Sequence, residues 1–459
     1  MPYIPHTEDD VKEMLATIGV DNIEDLFVEI PDDLKVKGEL NVPSGMDEHQ
    51  LFRYLQQLSE KNVDLSRTVC FLGAGIYDRF IPATVGAVIS RGEFLTAYTP
   101  YQPEASQGYL QTIYEFQTMV ADLYGMDLAN ASMYDGATSM AEAAIMAHSI
   151  NKRKKVFVSG AVHPHYRQVL DTYCWSMDLE VVEIPHVDGS TADFSGVDEE
   201  AACVIVQSPN FFGIIEDLGK ARDAARGAGS LFIVVADPTA AAILPTPGEF
   251  DADVVVGEGQ PLGIPMGFGG PLLGLFACKK ELVRSIPGRI VGRTNDAQGR
   301  PGFTMTLRTR EQDIRREKAT SNICTNEALM ALASTVYMSA LGKNGIREVC
   351  EATVRNTQYA IQQLTAAGAK SRFSGKVFGE FVLDLGRNAN SVQKKLIDQG
   401  ILAGLPLGNF DPSLENCLLV AVTEVRTKAQ IDDYANKLRA ILQEPRYGSK
   451  DTIYSAYRR

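Results

Sequence analysis

The stretch VVADPTAAAILPTPGEFDADVVVGEGQPLGIPMGFGGPLLGLFA, residues 234–277, decides the predicted fold. Its first apolar run ends at Asp237, and a second short run covers residues 253–256. A Gly- and Pro-rich turn at 257–271 separates these runs from a third one at 272–277. Such runs, ending in an acid or a glycine turn, are typical of a buried parallel sheet that delivers functional groups to one edge.

The flanking sequence extends this pattern. The strand-like segments KVFVSG, EVVEIP, CVIVQS and LFIVVAD alternate with helical patterns at 165–177 and 218–227, which predicts a doubly wound α/β domain. The two ends differ, because the start reads as helices and turns and the end as a few strands and helices. We therefore expect an N-terminal helical arm (1–65), a large α/β domain (66–335) and a smaller C-terminal α+β domain (336–459).

Composition and charge restrict the class of protein. The 459 residues are 45% hydrophobic and carry a net charge of -14, which argues against nucleic acid as a partner. The seven cysteines form no CxxC pair, a pattern that fits free thiols in a reducing compartment. Neither a secretory signal nor a membrane-spanning apolar run is visible, so we expect a cytoplasmic protein.

Three features are candidates for ligand binding. The turn Gly136-Ala137-Thr138-Ser139 begins a predicted helix, where free amides bind a phosphate or a hydroxyl simply caps the helix. His163 follows a strand and is suited to stacking on a flat cofactor or to ordinary hydrogen bonding; as a metal ligand it lacks partners. Asp237 ends the most apolar strand, where a carboxylate either pairs with a cationic ring nitrogen or caps a loop.

The order of these features is that of a pyridoxal-phosphate enzyme with an aspartate-aminotransferase-like fold (fold type I). Such an enzyme needs a lysine at the end of the strand after the acid, to bind the cofactor covalently. Gln260 stands in that neighbourhood, and no lysine lies between Lys220 and Lys279. The sequence therefore predicts this fold without its anchoring lysine, and predicts that the loop 257–271 fills the vacated space and packs at an interface.

Longer motifs carry a family resemblance. The chain resembles the P-protein of the glycine cleavage system, the decarboxylating glycine dehydrogenase, over essentially its whole length. In particular it is similar to the separate N-terminal half that some organisms use as an α subunit. The motifs that carry the resemblance are FLGAGIYDRFIP (71–82), TAYTPYQPEASQG (96–108), MYDGATSMAEA (133–143), GQPLGIPMGFGGP (259–271) and REKATSNICTNEAL (316–329).

The resemblance implies a heteromeric enzyme. Pyridoxal phosphate would be held by a β subunit and not covalently by this chain, in an α2β2 assembly. Glycine would be decarboxylated there, and its aminomethyl group would pass to the lipoyl arm of the H-protein. This chain would complete the site across the interface. Two alternatives stay open: a structural or regulatory subunit that only stabilises its partner, and an autonomous enzyme with a lysine not yet placed.

Two loops are candidates for that contribution. Thr320, Ser321 and Asn322 would reach the partner's cofactor phosphate, although a cap for the helix predicted near residue 325 is an equal alternative. Tyr98, Tyr101 and Gln102 would line the channel for glycine or the lipoyl arm, although aromatic residues in such loops also serve interface packing.

Overall fold

Residues 1–63 form a unit of their own, built from short helices and turns. The computed structural model describes residues 5–319 and 321–445. Helix α1 (Glu8–Ile18) begins with a capping box, because Thr7 and Asp10 each accept a hydrogen bond from the other's backbone amide. Helix α2 (Glu48–Ser59) follows. None of residues 5–63 is buried, so the described part of this unit has no core of its own.

The second unit begins at Asp64. Its helices are α3 (Ala83–Ile89), α4 (Gly92–Leu95), α5 (Gln107–Tyr124), α6 (Gly136–Asn151), α7 (Pro164–Ser176), α8 (Leu218–Ala228), α9 (Gln312–Arg315), α10 (Ala328–Ala366), α11 (Ala389–Ile397) and α12 (Lys428–Gln443). Its strands are β1 (Val69–Cys70), β2 (Leu128–Ala129), β3 (Lys155–Ser159), β4 (Glu180–Ile184), β5 (His186–Val187), β6 (Ser190–Thr191), β7 (Ala201–Ser208), β8 (Leu231–Ala236), β9 (Val254–Glu258), β10 (Gly274–Cys278), β11 (Ile290–Asn295), β12 (Pro301–Thr306), β13 (Lys370–Ser371), β14 (Glu380–Asp384), β15 (Ile401–Leu402), β16 (Leu405–Pro406) and β17 (Cys417–Ala421).

A seven-stranded sheet of order β2-β10-β9-β8-β7-β3-β4 organises this unit. The five strands from β9 to β4 are parallel, as the alternating pattern predicts. The third apolar run forms β10, which pairs antiparallel with β9 and β2, so the sheet is mainly but not wholly parallel. The physical reason is the connection: the turn after β9 holds no crossover helix, and a parallel return requires one.

Both faces of the sheet are covered by helices. Along β7, Val204 and Val206 face one apolar cluster while Cys203 and Ile205 face the other, the alternation that a pleated strand imposes. Helices α5, α8 and the start of α10 supply the first cluster, and α6 and α7 the second. Because both faces are buried, functional side chains reach the surface only at the ends of the strands.

An antiparallel sheet of order β13-β14-β17-β16 forms the smaller layer. Helices α11 and α12 pack on it around a third cluster that includes Leu418 and Tyr434. Helix α10 leads into this layer from the larger sheet and is interrupted at Gly342, whose φ of 60° and ψ of -176° are non-helical. The chain therefore forms two helical segments within α10, one on each side of this kink. Among the described residues, none of the helices has the length and apolarity needed to cross a bilayer.

Candidate functional site

A cavity lies where the parallel strands end. Its lining is Gly75, Tyr77, His163, Tyr166, Gln207, Pro209, Val235, Ala236, Asp237, Pro238, Glu258, Pro261, Phe378 and Glu380. The loops after β3, β7, β8 and β9 thus meet the segment before α3 and the start of β14. The fold brings His163 and Asp237 together here, whereas Ala137 and Thr138 lie in the first turn of α6 and do not line the cavity.

The ring of His163 is fully engaged within the chain. Its Nδ1 accepts a hydrogen bond from the His165 amide at 3.1 Å, so Nε2 carries the proton and donates to the Ala74 carbonyl at 2.9 Å. Burial lowers the pKa of His163 to about 4, and the Ala74 bond opposes this only in part. The ring stacks on Tyr166 with centroids 5.0 Å apart. His163 is therefore neutral, and both nitrogens are occupied.

Asp237 caps the turn after β8. Its Oδ1 accepts hydrogen bonds from the Thr239 amide at 2.7 Å, the Thr239 hydroxyl at 2.6 Å and the Ala240 amide at 3.2 Å. The sequence left two roles open for Asp237, and in the structure its carboxylate has the loop-capping one. Arg79 reaches the same turn through its bond to the Thr239 hydroxyl at 3.1 Å.

Gln260 ties two loops together. Its Oε1 accepts from the Tyr77 amide at 2.9 Å, and its Nε2 donates to the carbonyls of Tyr77 at 3.1 Å and Ile264 at 2.8 Å. The side chain is 2% exposed. A carboxamide can both donate and accept, which the lysine ammonium of a cofactor-binding relative could not do. The residue type therefore suits a structural clamp.

Glu258 ends β9 and was not predicted as a site residue. Its carboxylate lies at the start of α6. Its Oε2 accepts from the Gly136 amide at 3.0 Å, and its Oε1 accepts from the amides of Gln260 at 2.9 Å and Leu273 at 3.0 Å. Burial raises the pKa of Glu258 to about 7, against the three amide bonds that lower it. The Thr138 amide is also taken, by the Asp135 carboxylate at 2.8 Å. Of the two roles that the sequence left open for this helix start, phosphate binding and capping, the structure shows capping by the chain's own carboxylates.

A second missed acid, Glu380, closes the cavity from β14. It accepts from the Ala74 amide at 2.6 Å and the Tyr77 hydroxyl at 2.7 Å. Burial raises the pKa of Glu380 to about 7. Nothing local marks this residue in the sequence, because it lies 303 positions from the tyrosine that it binds.

These residues do not fit pyridoxal phosphate. Gln260 offers no amine that could form an imine, and the Gly136 amide at the start of α6 is already bound by Glu258. The polar side chains that line the cavity, among them His163, Asp237 and Glu258, already form hydrogen bonds within the chain. The first half of the loop after β9 is buried, at residues 257–264, and the filling of a vacated cofactor space by this loop stays a prediction. The second half projects to the surface, with Phe268 fully exposed.

The loop with the candidate tyrosines lies elsewhere on the second unit. Tyr98 is 78% exposed, and Tyr101 is half exposed and close to two guanidinium groups, those of Arg289 at 5.7 Å and Arg308 at 5.4 Å from its ring centre. Gln102 is exposed. These side chains are free to meet another molecule, and nothing in the cavity contacts them.

The second candidate loop folds back on its own chain. Ser321 is bonded to the buried carboxyl of Glu142, and Asn322 to Tyr173. Neither caps a helix, because α10 begins three residues later than predicted from Thr325, at Ala328. Thr320 lies outside the described residues. Within the described part of the chain, no cluster of three His, Cys, Asp or Glu side chains is arranged to hold a metal ion.

Fold and site together define a class: the chain has the fold of the pyridoxal-phosphate-dependent enzymes of fold type I. The alanine–glyoxylate aminotransferase of Nostoc sp. shares the fold, with a TM-score of 0.57 at 14% identity, covering 83% of this chain and 97% of that one.

The chain belongs to the glycine cleavage system P-protein family, whose model matches residues 1–438. It is 52% identical to the probable glycine dehydrogenase (decarboxylating) subunit 1 of Geobacillus sp. (strain WCH70), covering 95% of this chain and 98% of that protein. The inhibitor-bound crystal structure of a glycine decarboxylase (P-protein) matches with a TM-score of 0.88 and 42% identity, covering 96% of this chain and 100% of that one. The family resemblance seen in the sequence is confirmed.

Proposed function

We propose that the chain is the first subunit of a two-subunit decarboxylating glycine dehydrogenase, acting in the cytoplasm. The single observation that supports the proposal is that, in a chain of this family, Glu258 binds the amide at the start of α6 and the buried Gln260 offers no amine. The chemistry must then take place in a partner's pocket. The name of the Geobacillus relative, a "subunit 1", supports the existence of such a partner.

The partner would be a β subunit that holds pyridoxal phosphate, in an α2β2 assembly. When bound there, the cofactor supplies an electron sink for the decarboxylation of glycine. The remaining aminomethyl group passes to the lipoyl arm of the H-protein, whose disulfide is reduced. This chain contributes surfaces and loops and takes no covalent part.

The exposed loop of Tyr98, Tyr101 and Gln102 would line the passage for glycine or the lipoyl arm. Its exposure in the single chain supports this role, because an aromatic loop held by two arginines is ordered before it meets a partner. The loop of Thr320, Ser321 and Asn322 would reach the partner's phosphate. Its described residues sit at the surface of α6 and α7, within reach of another chain.

Exchange of bicarbonate into the carboxyl group of glycine tests the proposal. The assay is run with this chain alone, with the candidate β chain alone, and with both, each time with lipoylated H-protein. Exchange only when both chains are present is the expected result. Exchange by this chain alone would overturn the proposal and favour an autonomous enzyme, which borohydride reduction and mapping of a labelled lysine would locate.

A structural or regulatory subunit is the second candidate. It is favoured by the hydrogen bonds within the chain that His163, Glu258 and Glu380 form in the cavity. The two candidates differ in their response to substitution of Tyr98 and Tyr101. Loss of turnover with intact assembly supports participation in the site, whereas unchanged turnover supports a purely stabilising role.

A further inference from the structure

The start of α6 and the end of β9 meet through one carboxylate. The Gly136 amide is among the first amides of α6, which no turn of the helix itself can satisfy. Glu258 accepts from this amide and from two loop amides, those of Gln260 and Leu273. Three backbone donors directed at one buried anion form a cradle of the kind that binds phosphate in other proteins.

The surrounding geometry leaves no room for a second anion. A Cβ atom placed on Gly136 would lie 2.3 Å from the hydroxyl oxygen of Tyr166 and 3.1 Å from the amide nitrogen of Glu258. Glu258 itself is 8% exposed. The cradle is therefore enclosed by Tyr166 and by the strand that carries the carboxylate.

The remainder of the pocket still has elements that suit a planar ring. The cavity beside the cradle is lined by His163 and Asp237, and both side chains are held by bonds within the chain. Gln260, two residues after the carboxylate, cannot form a covalent bond to an aldehyde. Loss of a lysine alone would leave a phosphate site, yet here the phosphate site is filled as well.

We propose that Glu258 is an internal anion that replaces a ligand phosphate at the start of α6, and that this replacement, more than the absence of a lysine, makes the pocket refractory to pyridoxal phosphate. Removal of the carboxylate would convert the cradle into a phosphate site. The inference concerns this chain alone and does not depend on which partner it has.

Phosphate binding by the full chain tests the proposal, with inorganic phosphate as probe at pH 8, where Glu258 is ionised. The variant Glu258→Ala keeps all three amides and removes the anion. Calorimetry and thermal unfolding in phosphate are compared with chloride of equal ionic strength. Glu380→Ala is the matched control, because Glu380 is a similarly buried acid of the same cavity that does not contact α6.

The expected result is that Glu258→Ala binds phosphate at least about tenfold more tightly than the unaltered chain and is stabilised by it, while Glu380→Ala gains nothing. Equal phosphate affinity in a folded Glu258→Ala chain would overturn the proposal. If this variant does not fold in chloride, recovery of the folded chain in phosphate supports the proposal, and failure in both salts overturns it.

A second experiment separates the two substitutions. Full chains carrying Gln260→Lys, or Gln260→Lys with Glu258→Ala, are incubated with pyridoxal phosphate. The aldehyde and the amine condense with loss of water, and borohydride then reduces the imine to a stable amine. Labelling of residue 260 in the double variant, at least about tenfold above the single variant, is expected. Equal labelling of the two would show that the lysine alone decides, contrary to the proposal.

Discussion

The guanidinium of Arg289 lies 5.7 Å from the centre of the Tyr101 ring and donates a hydrogen bond to the Thr99 hydroxyl at 3.1 Å. Arg289 itself is 4% exposed, whereas half of Tyr101 remains accessible. The buried guanidinium of Arg289 thus contacts the accessible ring of Tyr101 on its inner side. The arrangement fixes the loop while leaving its outer surface free for another molecule.

Replacement of Tyr98 and Tyr101 by alanine is expected to lower glycine–bicarbonate exchange by the two-subunit enzyme at least about tenfold, because an aligned binding surface is lost. Loss of the cation–π contacts should cost the isolated chain only ~0.5–1 kcal/mol. Exchange assays and gel filtration of the complex measure both effects. Trp175→Ala, at a side chain 83% exposed on α7, is the control and should change neither. Full activity of the tyrosine variants would exclude the loop from the site.

Replacement of Thr320 and Ser321 by alanine should weaken retention of pyridoxal phosphate by the complex, since hydroxyl donors to the phosphate are removed. Dialysis followed by an absorbance spectrum measures the retained cofactor. Ser391→Ala, exposed on α11, is the matched control. Unchanged cofactor affinity and activity would contradict a phosphate contact and leave Ser321 with its bond to Glu142.

The Gln260→Leu variant should unfold more easily by about 3 kcal/mol, because it leaves buried backbone groups of Tyr77 and Ile264 without partners. Urea denaturation of the full chain gives this difference. Gln102→Leu is the control at an exposed position, with an expected change within ~0.5 kcal/mol. A loss as small as that of the control would refute the clamp assigned to Gln260.

The carboxyl of Glu142 should give the chain a pH-dependent stability. Burial raises the pKa of Glu142 from 4.5 to about 7, so the folded chain binds more protons than the unfolded chain between these values. Stability from this group is therefore fully present below pH 4.5 and is lost as the pH rises through 7, by about 3 kcal/mol.

Glu142→Gln removes this titration, so the stability difference between the unaltered chain and the variant should shrink or reverse as the pH rises from 4.5 to 8. Urea midpoints across that range measure it. Glu180→Gln, exposed on β4, should run parallel to the unaltered chain. Parallel curves for Glu142→Gln would mean that Glu142 does not titrate as inferred.

Local sequence patterns were sufficient to predict much of the fold. The capping box at Thr7 and the parallel strands that end near His163 and Asp237 follow from short-range signals, namely side-chain spacing and apolar runs. The hairpin of β11 and β12 was not foreseen, because its residues are largely polar and its stability comes from packing against α5. The domain limits at 65/66 and 335/336 stay predictions.

The site was less predictable than the fold. Gln260 could be identified from the sequence, because it stands where the motif requires a lysine. Such an absence can be seen in the sequence alone. Glu258 was overlooked, although it lies two residues away, because nothing in the sequence tells which amides its carboxylate faces. Glu380 could not be predicted either, because it lies on β14 in the smaller antiparallel sheet and meets the cavity only in the folded chain.

The sequence by itself therefore determined the family, the sheet and the absence of a covalent anchor. Only the tertiary structure decided which amides the Glu258 carboxylate binds. Strand identity and missing residue types depend on neighbours along the chain, whereas these hydrogen bonds depend on distances between Glu258, Gly136 and Leu273, which belong to three separate segments. Such distances exist only after the sheet has brought those segments together.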